Sequence, residues 1–306
     1  MTASVAEEEF ILSTRDFFSN ASIWPQQPRD VDHRGWLTNF EGDHDRAIAT
    51  QLLDSFLLIS TNQVEKMVTS SFHSLSPLQG DMFDNDPAAY SNAWKRFRER
   101  LAVTFPARRN DPAGSGHLFA RTARALVADR DEQLFEPDSL VIELAQRGTP
   151  RPVVFVDDFS GTGNQFTASW TRDVTLPDGS KHSFASLAKK GLIEQAYFIP
   201  AVAAARAKSR IAQVAPQVQV RPAHLLPTRY SASDAATSLV EPELRADLHD
   251  FLCRYADRAG YSQEHVYGYE NCGLALSFEH STPDNTLPIF NGGTRRPSTW
   301  RALRSK

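Results

Sequence analysis

Residues 153–165 read VVFVDDFSGTGNQ, placing two adjacent carboxylates, Asp157 and Asp158, between an apolar run and a turn of small residues. Neighbouring carboxylates repel and lose hydration when buried, so a partner bearing hydroxyls or a cation is expected opposite them. The turn Ser160, Gly161, Thr162, Gly163 and Asn164 is built from residues that are small or tolerate left-handed backbone, so consecutive N–H groups can point into one concavity. From Phe166 onward the pattern is helical, which sets a helix N-terminus behind the turn. A sugar phosphate satisfies the whole set. Its phosphate takes the amides and the Thr162 hydroxyl, and its ribose hydroxyls donate to the two carboxylates.

The elements that must position these groups follow from the flanking residues. Val153–Val156 is short, β-branched and aromatic-containing and follows Gly148 and Pro150, as expected of a buried strand in a parallel sheet. In open α/β sheets ligands bind beyond the carboxyl ends of the strands, where Asp157 and Asp158 would stand. Other sites that use strand-end aspartates fit less well. A P-loop NTPase also needs G-x-x-x-x-G-K-[ST], which is absent from the chain. A haloacid dehalogenase type phosphatase would carry a second Asp where Phe159 stands. A dinucleotide fold has its glycines before the acid, the reverse of the order here. The plain alternative makes Asp158 a helix cap and the glycines ordinary turn residues; each is common alone, but the ordered set is not.

The stretch resembles the phosphoribosyl pyrophosphate signature of type I phosphoribosyltransferases. That resemblance implies that Asp157 and Asp158 hold the ribose 2- and 3-hydroxyls, and that Gly161, Thr162, Gly163, Asn164 and Gln165 wrap the 5-phosphate. The chain departs from the pattern at Gln165, where the family has a small hydroxyl residue. A narrower resemblance joins VDDFSGTGNQ to YGYENCGLALSFEHSTPDNTLPIF, and is to divergent phosphoribosyltransferase-like proteins of bacterial conflict and antiphage defence systems. There a helical or winged-helix-like region precedes the core, and His280, Pro283, Asn285, Thr286, Leu287, Pro288 and Trp300 occupy the matching C-terminal places. The resemblance spans roughly the C-terminal two thirds of the chain. It implies a mainly parallel α/β sheet flanked by helices after a helical or winged-helix-like N-terminal region, and the loop chemistry of residues 76–92 sets the division at residues 1–90 and 91–306.

Composition agrees with a globular chain of one large core or two smaller ones: 306 residues, 41% hydrophobic and 23% charged. A net charge of −4 supplies no overall basic footprint for nucleic acid, although a local patch stays open. Cys253 and Cys272 make neither a disulfide framework nor a zinc ligand set. No apolar run reaches membrane-spanning length and MTASVAEEEF lacks the features of a signal peptide, so a cytoplasmic protein without a membrane anchor is expected.

Along the chain, helical spacing is expected over residues 36–60 and 62–74, a loop boundary over 76–92, and a basic helix over 93–101. Residues 102–105 are expected to form the first core strand. The loop PARRNDPAGSG and the helix HLFARTARALVAD repeat the anion-binding pattern, and by resemblance Ser115 and Gly116, with Arg109, Arg121 and Arg124 nearby, would grip pyrophosphate. Helix or hairpin is expected at 179–191, strands at 195–203, 218–224 and 274–278, and helices at 204–214 and 241–260, the former exposing Arg206, Lys208 and Arg210.

His280 reads either as a hydrogen-bonded residue at a strand end or, by resemblance, as one of two residues, His280 or Asn285, that contact a base or stabilise a leaving group. As an enzyme, the chain would direct displacement at the anomeric carbon of phosphoribosyl pyrophosphate, with Mg²⁺ held by Asp157, Asp158 and substrate oxygens. As a sensor, it would bind that compound or a nucleotide and signal to a protein partner from a defence operon. A nuclease-like effector would need a clustered His, Glu and Lys set that the sequence lacks.

Overall fold

A computed structural model describes residues 5–21, 23–24, 31–80, 86–106, 131–292 and 299–304. Its first elements are α1 (Val5–Asn20), α2 (His33–Leu37), α3 (Asp43–Asp54), β1 (Leu57–Ile59), α4 (Thr61–His73) and α5 (Pro87–Arg100). There follow β2 (Ala102–Thr104), α6 (Pro137–Arg147), β3 (Arg151–Ser160), α7 (Asn164–Thr171), β4 (Val174–Thr175), β5 (Lys181–His182) and α8 (Phe184–Lys189). The described elements end with β6 (Ile193–Ala204), α9 (Ala205–Val214), β7 (Val218–Val220), β8 (His224–Leu226), α10 (Arg245–Ala256) and β9 (Leu276–Phe278). The fold is α/β, with a mainly parallel central sheet flanked by helices and a helical N-terminal region.

Two compact units form, Met1–Gln63 with Pro227–Lys306, and Val64–Leu226. This differs from a division at residues 90 and 91. The reason is a pairing between distant segments: β1 and β9 run parallel, with Leu57 opposite Leu276 and Ile59 opposite Phe278. Residues 56–60 were expected to continue a helix, but α3 stops at Ser55, whose N–H bonds Gln51 O. The apolar run after it is a strand because its hydrogen-bonding partner lies over two hundred residues away, where no local period can reveal it.

The first unit is built on aromatic packing. Trp36 stacks on Phe290 at 5.2 Å and donates its indole N–H to Ile289 O at 2.8 Å. Phe40 meets Phe251, Tyr255 and Trp300, and Phe56 meets Phe290. The Tyr230 hydroxyl sits between Ser55 O at 2.6 Å and Ala275 O at 2.7 Å, so its single proton serves the backbone leading into both β1 and β9. Burial pushes this phenol well above its ordinary pKa.

The second unit carries the five-stranded sheet, ordered β2-β3-β6-β7 with β8 paired to β6 beyond the end of β7. Every pairing in it is parallel. Val153, Phe155, Ala196 and Phe198 belong to one apolar cluster with Leu140 of α6, Phe166 and Trp170 of α7, Phe184 of α8 and Ile211 of α9, so these four helices share a face. On the opposite face Phe97 of α5 meets Tyr197 edge-on at 6.0 Å. Helix α7 begins at Gly163, with φ of 78°. A Cβ there would lie 2.9 Å from Ala207 O and 3.1 Å from Ile211 Cγ1, so the glycine lets α7 and α9 approach each other.

Three outcomes follow for stability. Phe290→Ala should lower the unfolding free energy by about 3–5 kcal/mol in denaturant titrations, as full truncation of a core aromatic does. Gly163→Ala should cost more than Gly148→Ala: both have positive φ, worth about 1–2 kcal/mol, but nothing lies within 4 Å of a Cβ at 148. For Tyr230 the folded pKa is raised, so its contribution is complete below the ordinary phenol pKa of about 10 and is lost as pH climbs above it. Melting curves across that range should show a smaller alkaline loss for Tyr230→Phe than for the wild type.

Candidate functional site

Strand β3 lies between β2 and β6, and its run Val153–Val156 is apolar and buried. Its neighbour β2 ends at Thr104, opposite Phe155, and β7 ends at Val220, level with Phe198. Strands β3 and β6 run on together, pairing Asp157 with Pro200, Phe159 with Val202 and Ser160 with Ala203. The strand is therefore longer than its apolar run. Asp157 and Asp158 stand within it, in the part that projects past Thr104.

This placement changes what the two acids can do. Side chains alternate along a strand, so Asp157 shares the face of Val153 and Phe155, while Asp158 shares that of Val154 and Val156. The carboxylates flank the backbone and do not lie on one another, which limits their repulsion and lets each address a separate donor. Their exposures are only 5% and 9%. Asp157 Oδ1 accepts the Asp158 N–H at 3.0 Å, so part of its lost hydration is replaced within the strand.

Beyond Ser160 the chain turns through Gly161 and Thr162, both buried, and enters α7 with Gly163 as its N-cap and without a side-chain cap there. The opening amides of a helix have no acceptor inside their own helix, and they carry the positive end of its dipole. Thr162 Oγ1 accepts the Asn164 N–H at 3.2 Å. A hydroxyl that accepts there still has its own proton to donate, the role a phosphate oxygen requires. Gln165 donates from Nε2 to Pro106 O at 3.1 Å, tying the first turn of α7 to the segment that continues from β2. A small hydroxyl residue could not span that distance, which gives the departure at this position a structural use.

Sequence reasoning missed Thr104. It ends β2, is buried, and its hydroxyl has no hydrogen-bond partner among the described residues. The register sets it beside Phe155, on the face that Asp157 shares. Only the register reveals this, since Thr104 stands far from the Asp-Asp pair in sequence.

The remaining candidates divide by location. Ser115 and Gly116, with Arg109, Arg121 and Arg124, lie outside the described residues. His280 and Asn285 belong to the first unit, whereas Asp157 to Gln165 belong to the second. His280 is exposed just after β9, its ring 5.7 Å from that of Phe278. Asn285 is buried and donates from Nδ2 to Tyr269 O at 3.3 Å and to Cys272 Sγ at 3.1 Å, bracing the loop before β9. That loop holds Glu270 and Asn271 at φ of 50° and 53°, and Gly268 at 72°, where a Cβ would lie 2.6 Å from Asp284 O.

Among the described residues no cluster of three or more His, Cys, Asp or Glu side chains forms a metal cage, and no helix is long and apolar enough to cross a membrane. A search of curated proteins finds no match to the chain. The family model PRTase-CE matches residues 33–306, which takes in all of the second unit, the first unit apart from residues 1–32, the Asp-Asp strand and the turn into α7. The chain therefore belongs to the PRTase-CE family and is a phosphoribosyltransferase-like protein.

Proposed function

We propose that the carboxyl end of β3 and the turn into α7 bind phosphoribosyl pyrophosphate or a nucleotide. The observation that carries this reading is the continuous order of groups on one backbone: two nearly buried carboxylates, a covered Gly-Thr-Gly turn, and an α-helix without a side-chain cap at Gly163. In it the 5-phosphate takes the turn amides and the Thr162 hydroxyl, whose oxygen already accepts the Asn164 N–H, and the ribose hydroxyls donate to Asp157 and Asp158. Ser160, which ends β3, and Asn164, which opens α7, are assigned to the same phosphate. Ser115 and Gly116 are assigned to pyrophosphate and His280 to the base or leaving group, both on resemblance.

The residues present suit Mg²⁺ in its usual manner with phosphorylated ligands, where one or two carboxylates and the ligand's own oxygens suffice without an all-protein cage. Asp157 or Asp158 would hold it together with the ligand's own oxygens, and it would neutralise charge on the pyrophosphate. The chain's own contribution is positional and electrostatic. The carboxylates fix the ribose and face the positive charge that grows at its anomeric carbon, and the turn holds the phosphate still.

The wider reading is a cytoplasmic effector in bacterial antiphage defence, supported by the resemblance of the β3 and β9 segments to proteins of such systems. A second reading is a sensor that binds the same ligand without turning it over and reports to a partner protein.

Calorimetric titration with phosphoribosyl pyrophosphate and Mg²⁺ tests the binding claim. Wild type should bind. Asp157→Asn/Asp158→Asn should lose at least about 1.5–3 kcal/mol, the scale of hydrogen bonds to charged groups, and Thr162→Ala about 0.5–1.5 kcal/mol. A folded wild type that gives no heat with this compound or with nucleotides would sink the proposal. Release of pyrophosphate in the presence of an acceptor would separate the enzyme from the sensor.

A further inference from the structure

The chain is acidic overall, with a net charge of −4. Yet between Gln195 and Leu226 it carries Arg206, Lys208, Arg210 and Arg221 and no Asp or Glu at all. The acid just before this stretch, Glu194, is engaged by Arg100 at 2.6 Å. All four cations are exposed, as is His224.

The fold collects these cations on one margin of the second unit. In α9 the buried positions are Ala207 and Ile211, the residues that face Gly163, which turns Arg206, Lys208 and Arg210 outward. Arg221 directly follows β7, held there by its N–H on Phe198 O at 2.8 Å, and His224 opens β8 alongside Val202. Lys208, Arg210 and Arg221 form no ion pair among the described residues; the Arg221 guanidinium donates to the side-chain amide oxygen of Gln219 at 3.4 Å. The exposed apolar residues on this margin, Val214 and Leu225, are aliphatic. Cations without an aromatic platform suit contacts to phosphates, not stacking on bases.

We infer that the margin formed by α9, β7 and β8 docks the phosphodiester backbone of a nucleic acid, independently of base sequence. This surface is distinct from the phosphate cradle, although α9 packs against Gly163. Lys208, Arg210 and Arg221, which form no ion pair among the described residues, can displace the counterions of a polyanion, which gives the contact a characteristic dependence on salt.

Fluorescence anisotropy of the full chain with labelled single-stranded RNA, single-stranded DNA and duplex DNA tests this. Binding to at least one should weaken as salt rises. Lys208→Gln/Arg210→Gln/Arg221→Gln should weaken it at least about tenfold at low salt, and reduce the slope of log affinity against log salt by about 2 for a single strand. Removing equal charge elsewhere with Lys181→Gln/Lys189→Gln/Lys190→Gln should change affinity less than about threefold, since long-range screening leaves only a weak general effect. Should the triple margin variant melt early, Arg221→Gln alone, with a slope smaller by about 0.7, takes its place. Thr162→Ala should leave this binding intact, which separates the result from that of the cradle. No salt-dependent binding to any of the three, or an equal loss in both triple variants, overturns the inference.

Discussion

Holding two adjacent carboxylates inside a covered strand is costly, and the arrangement of the second unit answers that cost. Asp157 and Asp158 would lose much of their hydration with nothing in return if β3 ended where its apolar run ends and both turned inward. Instead β3 continues beside β6 to Ser160, so that alternation sends the acids to opposite faces and Asp157 accepts the amide of its neighbour. The continuation depends on β6 being equally long, and the turn that follows depends on Gly163 letting α7 start against α9. Sheet register, helix placement and the chemistry of the turn are thus parts of one solution.

That solution also explains why the neighbouring strands are short. With β2 ending at Thr104 and β7 at Val220, β3 and β6 run on together, with β8 beside the end of β6, and form a ledge bordered by the opening turns of α7 and α9. Gln165 closes one side by its bond to Pro106 O. Such a ledge places backbone donors and carboxylate acceptors at different depths along one strand, which suits a ligand with a phosphate at one end and hydroxyls further in.

Much of this was legible in the sequence, and the limits have physical causes. The Val153–Val156 run, the Gly-Thr-Gly turn and the start of α7 read out locally because each is specified by its own residues. The reach of β3 through the acids did not, since it is set by pairing with β6, and polar residues conceal a strand that hydrophobic period alone would end. Residues 56–60 misled for a similar reason: Leu57, Leu58 and Ile59 carry a strand whose partner, Leu276–Phe278, lies near the far end of the chain. The same long-range pairing draws the C-terminal segment into the unit of α1 to α3, where a boundary read from the loop chemistry of residues 76–92 would not put it. Thr104 and the carbonyl of Ala207 border the site without any motif of their own.

The central claim is that the β3–α7 turn is where the ligand's phosphate rests, and amide hydrogen exchange reads that directly. In the protein with and without phosphoribosyl pyrophosphate and Mg²⁺, exchange should slow in a single block covering residues 160–166, while the strands of the first unit keep their rates. Binding that leaves this block unchanged, or that protects only residues elsewhere, would contradict the account.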